Sequence, residues 1–395
     1  MPIIDISKKD VEKLLGRSLP NTEDKLNDIF QYVGGEVESL SGDAIQLEIK
    51  CRNRPDLWCA EGLTRELRGA LDIETGLKKY TIKSNKKYKI KVSKELRNIR
   101  QYMACAVVKG VKLSDQIIKQ LMQQQEKVDG NYGRNRKKTS IGLYNLDLIK
   151  FPLTYELTEP THNAFIPLQM DSELTPKQIL SRHPTGRKYA HLVEHLKKYP
   201  IFKDAKGKVL SLPPIINSDD LGKLNENVKN VLIEVTGTNY DAVVNVLAMM
   251  TLSLADRGGK IWSTRIDSPF QKDNIFPIFK SRTWKLGVAE TNARLGTNFT
   301  GKEILKLLEK ARYSGKLIDV GGFDFLELKA PFYRTDLMHD VDLIEDVAIM
   351  HGYSNFDLQP IRVPTTGALS PLTIFSDKIR RLMIGFGSQE VQTFT

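Results

Sequence analysis

The sequence predicts a multidomain α+β chain, and three observations carry that prediction. Its 395 residues exceed what one ordinary hydrophobic core accommodates. Segments of helical periodicity are interspersed with segments of strand alternation along the chain. Two breaks in composition, a lysine-crowded stretch at 78–91 and a proline-bearing stretch at 269–277, divide it. The expected units are an N-terminal α/β unit over 1–85, a mixed α+β domain over 86–270 and a winged-helix-like module over 271–360. Residues 361–395 are expected to begin a further module.

In the first unit, Ser7-Lys8-Lys9-Asp10 has capping-box-like spacing before a helix with Val11, Leu14 and Leu15 on one face. Leu26, Ile29, Phe30 and Val33 form the stripe of a second helix, which Gly34-Gly35 ends. Ile45, Leu47 and Ile49 alternate as in a half-buried strand. Pro55-Asp56 opens a third helix with Leu57, Ala60, Leu63, Leu67 and Leu71 inward.

Beyond the lysine-rich linker, strands are expected around Tyr88, Ile90 and Val92 and at 103–108, 141–143 and 231–235, with helices at 114–128 and 241–254. His191 and His195, four apart, are expected on a helix. Thr300-Gly301-Lys302-Glu303 starts a helix, 319–328 reads as a turn and a strand, and 342–351 as another helix. Residues 360–371 read as a loop, 374–384 as a helix and 390–395 as a strand. A chain that stops inside a strand is expected to be truncated.

Lys and Arg total 59 against 48 acidic residues, a net charge of +11. That surplus favours a polyanionic partner, nucleic acid first, although a lysine-rich surface is the plain alternative. Cys51, Cys59 and Cys105 have neither CxxC nor Cys/His spacing, which argues against a disulfide framework or a zinc site. The N-terminus has no apolar core of signal-peptide length and no run approaches a membrane span, so a soluble, cytoplasmic protein is expected.

Six segments, taken in order, carry a resemblance. They are Asn53-Arg54-Pro55-Asp56 with Glu61-Gly62-Leu63-Thr64-Arg65-Glu66-Leu67; Gly133-Arg134-Asn135-Arg136-Lys137-Lys138 before Ile141-Gly142; and Arg182-His183-Pro184-Thr185-Gly186 with Tyr189-Ala190-His191-Leu192. Leu212-Pro213-Pro214-Ile215-Ile216-Asn217-Ser218, Ile233-Glu234-Val235-Thr236-Gly237-Thr238, and Tyr333-Arg334-Thr335-Asp336 with Asp342-Leu343-Ile344-Glu345-Asp346-Val347-Ala348 complete the set. Together they resemble the phenylalanyl-tRNA synthetase β-subunit family of archaea and eukaryotes. The chain departs from the family's usual His-Asp with Tyr144-Asn145.

The resemblance implies a subunit of a class II aminoacyl-tRNA ligase that works in an α2β2 heterotetramer on tRNA(Phe). ATP-dependent charging would fall to the α subunit, because no class II ATP-binding motif is present here. It implies that 86–270 is an editing domain that hydrolyses mischarged tyrosyl-tRNA, and that 361–395 opens a catalytic-like module. A noncatalytic tRNA-binding scaffold and a free-standing trans-editing factor are the alternatives.

The chemistry behind editing is a selectivity problem. A hydrophobic pocket rejects an analogue that adds one hydroxyl only about 100-fold, whereas a site that hydrogen-bonds the hydroxyl discriminates far better. Strand geometry puts Glu234 and Thr236 on one face, and Gly237 permits close approach. Glu234 is the candidate for phenol recognition, with Thr236 and Ser211 positioning substrate and water and Phe202 or Leu210 as the apolar wall. From periodicity alone the plain reading is a solvated strand face.

Asp342, Glu345 and Asp346 fall at i, i+3 and i+4 on one side of a helix, with Asp336 six residues earlier. Four oxygen ligands suit magnesium, and the resemblance implies a Mg²⁺ at these positions shared with the α subunit. Acidic residues in a first helical turn are equally well explained by the helix dipole. Arg134, Arg136, Lys137 and Lys138, beside Tyr132, are candidate tRNA-phosphate ligands or simply a solvated loop.

Overall fold

The structure, a computed structural model, describes residues 2–358 and 365–394. It divides into two compact units, Met1–Tyr353 and Ser354–Thr395. Among the described residues the first unit holds three β-sheets, and no helix is long and apolar enough to cross a membrane. The architecture is α+β.

Alternation near the N-terminus builds the first sheet. Ala44–Ile49 is its middle strand, antiparallel to Ile3–Ser7 on one side and Gly35–Ser41 on the other. Ile4, Ile6, Ile45, Leu47 and Ile49 turn inward. Ser7 caps the helix Lys8–Leu15 by accepting from the Asp10 amide at 3.1 Å. The third helix differs from expectation: Pro55–Leu57 forms a separate 3-10 turn, and the helix runs Ala60–Ala70 behind the Cys59 cap.

The largest sheet has eleven strands. At its centre, the strand Tyr102–Lys109, apolar and buried from Met103 to Val108, pairs with both Asn230–Gly237 and Lys260–Asp267. Asn230–Gly237 is paired on its other side by Thr139–Asn145. Helix Tyr240–Asp256, apolar on nearly every face and buried from Val246 to Leu254, packs on these strands, as a helix without a polar side must. The other wing runs through Lys89–Val92, Leu153–Thr158, Tyr199–Lys203, Val209–Leu212 and Ile216–Asn217. Strands Ile82–Lys83 and Ile275–Phe276 also pair with Lys260–Asp267, so the sheet reaches a few residues beyond the expected 86–270 at both ends.

In the third sheet, Phe323–Lys329 lies between Thr283–Gly287 and Ser314–Val320. Helices Val288–Leu295, Gly301–Lys310 and Asp340–His351 share its core through Leu286, Ile304, Leu308, Leu326, Leu343 and Val347. The Thr300–Glu303 capping box opens the second of these helices.

In the second unit, Ser370 caps helix Pro371–Gly385, and Arg380 pairs with Asp377 and Glu390. Residues 390–394 form no strand; an isolated segment with no ladder partner cannot be one, and Thr395 lies outside the described residues. The expected loop at 360–371 falls partly outside them too. The expected helix bearing His191 and His195 is a single 3-10 turn, Ala190–Leu192, followed by irregular chain.

Candidate functional site

Register assembles the site. Glu234 stands opposite Gly142, Thr236 opposite Ser140, and Leu232 opposite Tyr144. Side chains two apart share a face, so Ser140, Tyr144, Glu234 and Thr236 all point the same way. Across from them, Val209–Leu212 carries a register shift between Val209 and Ser211, the kind of bulge that re-aims a side chain. Between these walls lies a cavity of about 350 Å³, bordered by Ser140, Glu234, Ser211, Asn217, Arg136 and Pro214.

Glu234 is 2% exposed. Its Oε2 accepts a 2.8 Å hydrogen bond from the Tyr144 hydroxyl, while Oε1 has no hydrogen-bond partner. Burial pushes its carboxyl up to about 7, against the opposing pull of the Tyr144 hydrogen bond, the Arg100 charge and the neighbouring Thr236 hydroxyl, which lies outside hydrogen-bond geometry. The Tyr144 hydroxyl is also 2.8 Å from Ser211 Oγ. A phenol has one proton, so with that proton given to the carboxylate its oxygen accepts from the Ser211 hydroxyl.

Gly142 makes this contact sterically possible. A Cβ there would lie under 3.0 Å from both the Tyr144 hydroxyl and Glu234 Oε2. Gly142→Ala is therefore expected to separate the pair and to lower stability by about 1–3 kcal/mol, as overpacking does. Equilibrium urea unfolding checks it; an unmoved midpoint would show that the pair yields freely.

Thr236 is fully buried but stands behind Ser140 rather than on the cavity wall. Its Oγ1 accepts from Arg100 Nε at 2.9 Å and lies 3.2 Å from Ser140 Oγ. Arg100 also donates to Ser140 Oγ, to the Thr236 carbonyl and to the Arg136 carbonyl. The hydroxyl expected to position substrate is thus one side chain removed from the cavity, occupied by an arginine the sequence did not single out. Phe202 and Leu210 are fully buried. Phe202 meets Tyr144 edge-to-face at 6.2 Å, so it walls the tyrosine and not the cavity, whose apolar lining includes Ile141, Leu143, Leu212, Pro213, Pro214 and Ile215. At Gly237 the close approach is to the Lys138 carbonyl and the Val243 side chain, not to a ligand.

The basic run splits in two. Arg134, Asn135 and Arg136 all have positive φ, a tight reversal. Arg136 donates to the Ile215 carbonyl at 2.7 Å and sits 4.3 Å over the Tyr189 ring, clamping the loop that carries Asn217. Lys138 lies 4.7 Å over the Tyr132 ring. Those contacts, absent from the sequence reading, take both away from free solvent. Arg134 and Lys137 remain exposed and border a second recess of about 510 Å³ with His191 and His195. Beneath the loop Asp129 is buried 3.6 Å from Arg136, and burial pushes its carboxyl up to about 7.

The four acidic residues expected to hold magnesium do not converge. Asp336 and Asp346 are occupied by the Arg334 guanidinium, at 2.6 Å and 2.8 Å, and Tyr313 donates to Asp346 at 2.6 Å. Although burial opposes it, Arg334 holds the Asp336 carboxyl below the usual range. Asp342 turns back to accept from the Met338 and His339 amides as part of a capping box, and Glu345 faces solvent. A fixed cation already fills the place between two of the four, so these residues as arranged do not fit a shared ion. Among the described residues, the three-carboxylate group that does converge is Glu36, Glu38 and Glu48, on two neighbouring strands of the first sheet, with Lys50 paired to Glu36 and Glu48.

Residues 284–353 match the tRNA synthetase B5 domain family. The whole chain aligns with the phenylalanine–tRNA ligase β subunit of Pyrococcus furiosus at 37% identity, covering 70% of that protein. The β subunit of Methanosarcina barkeri aligns equally, at 37% identity and 70% coverage. The chain belongs to the phenylalanine–tRNA ligase β-subunit family. A crystal structure of an N-terminal fragment of the phenylalanyl-tRNA synthetase β subunit from Pyrococcus horikoshii has the same fold, with a TM-score of 0.84 and 37% identity, covering 89% of this chain and all of that one.

Within this β-subunit chain, the segments that carried the resemblance have separate physical tasks. Asn53–Asp56 and Tyr333–Asp336 meet in one buried ion network, where Arg54 is 2.8 Å from Asp56 and 3.8 Å from Asp336, and the Tyr333 hydroxyl donates to Glu66 at 2.9 Å. Leu212–Asn217 and Glu234 border the cavity, and Gly142 makes room for the Tyr144 hydroxyl at Glu234. Tyr144, Ser140, Arg100, Asn217 and Asp129 escaped the sequence reading as site residues. For the first two a signal existed: Ser140-x-Gly142-x-Tyr144 has the same period as Glu234-x-Thr236 on a neighbouring strand.

Proposed function

We propose that this β-subunit chain supports ATP-dependent charging of tRNA(Phe) by an α subunit in the cytoplasm, and itself hydrolyses mischarged tyrosyl-tRNA(Phe). The observation that carries the editing reading is Glu234 Oε1, a buried acceptor without a partner beside a cavity of about 350 Å³. A tyrosyl side chain supplies a phenolic proton to that oxygen, whereas a phenylalanyl side chain leaves it unpaired, and an unpaired buried acceptor is penalised. Ser211 Oγ has Tyr144 beside it and no base, so water is the nucleophile in this reading. Its oxygen attacks the ester carbonyl, the bond between the acyl carbon and the ribose oxygen breaks, and a proton from the water ends on that ribose oxygen, leaving free tyrosine and a terminal ribose hydroxyl.

Arg134 and Lys137 are the residues proposed to meet tRNA phosphates. Their recess shares Pro214 with the cavity, so an acceptor end held by its phosphates there would bring the aminoacyl ester close to Glu234. Glu234→Ala tests the reading. Deacylation of tyrosyl-tRNA(Phe) is expected to fall about tenfold or more while the circular dichroism spectrum is unchanged. An undiminished rate in a folded variant would rule the assignment out.

A further inference from the structure

Tyr144 places inside the protein the same functional group that separates tyrosine from phenylalanine. It is fully buried, its ring is held edge-to-face by Phe202, and its hydroxyl is 2.8 Å from both Glu234 Oε2 and Ser211 Oγ. The residue opposite Glu234 is a glycine, which leaves room for that hydroxyl. Glu234 therefore has one oxygen served by a resident phenol and one oxygen without a partner.

Resting on the editing reading above, we infer that Tyr144 is a specificity-determining residue that competes with the substrate's phenol, each on its own oxygen, for the accepting strength of the Glu234 carboxylate and so sets how sharply tyrosine is told from phenylalanine. The physical reason lies in what is left unpaired when the wrong ligand binds. Discrimination by a hydrogen-bonding site comes from the penalty on its buried polar groups when the ligand lacks a matching group. A carboxylate that already accepts from Tyr144 is only half deprived when phenylalanine enters, so the penalty is reduced. Ser211, engaged by the same hydroxyl, is likewise less available to the substrate. Tyr144 does not touch the ester in this arrangement; it acts through Glu234 and Ser211.

Tyr144→Phe keeps the ring and its packing on Phe202 and removes only the competing hydroxyl. In the full chain, the ratio of kcat/KM for tyrosyl- over phenylalanyl-tRNA(Phe) deacylation is expected to rise about tenfold, in KM rather than kcat. A second measurement does not depend on hydrolysis: calorimetric binding of 3′-tyrosylamino- and 3′-phenylalanylamino-3′-deoxyadenosine. Their affinity ratio is expected to rise in parallel, and adding Glu234→Ala to Tyr144→Phe is expected to abolish the rise. Measurable hydrolysis with unchanged ratios in Tyr144→Phe would overturn the competition and leave the editing reading standing. Raised analogue discrimination without hydrolysis by either protein would uphold the competition and overturn the hydrolytic reading. Failure of both proteins to bind either analogue would overturn both.

Discussion

Replacing Arg334 with alanine is expected to destabilise the chain by about 3–5 kcal/mol, the range for breaking a buried ion pair by removing one partner. Its side chain is 3% exposed, and those of Asp336 and Asp346 are 7% and 9% exposed. Without the guanidinium, Asp346 keeps only the Tyr313 hydroxyl, and Asp336 keeps Arg54 at 3.8 Å. Two desolvated carboxylates then stand short of a counterion, which is costlier than the original pair was favourable. Urea unfolding should give a lower midpoint with an unchanged slope. Glu345→Ala supplies the contrast: it is exposed, and surface changes of that kind stay within about 0.5 kcal/mol. Equal, small shifts for the two variants would mean that the guanidinium is not what holds these carboxylates.

That network also shows where sequence reading stops. Spacing correctly put Asp342, Glu345 and Asp346 on one helix, Asp340–His351. It could not say that Asp342 would turn back to cap the helix, that Asp346 would face Tyr313, or that Arg334 would already supply the cation. Strongly periodic or well-capped elements were legible: Ala44–Ile49 by alternation, Gly301–Lys310 by Thr300 and Glu303. Helix Val288–Leu295 was not, since Gly287 opens it without a side-chain cap. The shared face of Glu234 and Thr236 followed from period two alone. Their partners did not, because Arg100 lies 136 residues from Thr236 in sequence and Tyr144 lies 90 from Glu234. Only sheet order and register bring those strands together, and neither is written in local pattern.

The second large effect concerns pH. The Glu234 carboxyl stands at about 7 in the folded chain against an ordinary 4.5, so between those values the folded state binds more protons than the unfolded state. Stability must then fall as pH rises through that window and level off above it. At about 1.4 kcal/mol per pH unit, one such group accounts for roughly 3 kcal/mol. Asp129, raised from 3.8 to about 7 by the same burial, acts in the same direction. Glu234→Gln keeps the shape and an oxygen able to accept from Tyr144, and it has no charge to desolvate. Urea midpoints at pH 5 and pH 8 should therefore differ less in the variant than in the wild type, with the variant gaining roughly 3 kcal/mol relative to wild type at pH 8. The slope that remains belongs to Asp129. Identical pH dependence in the two proteins would mean that Glu234 is not desolvated when folded, and the unpaired acceptor on which phenol recognition rests would go with it. A carboxylate that weakens the fold at neutral pH has no structural reason to be there. Its neighbours Gly142, Ser211 and Tyr144 are arranged around it all the same, as expected where stability is given up for recognition.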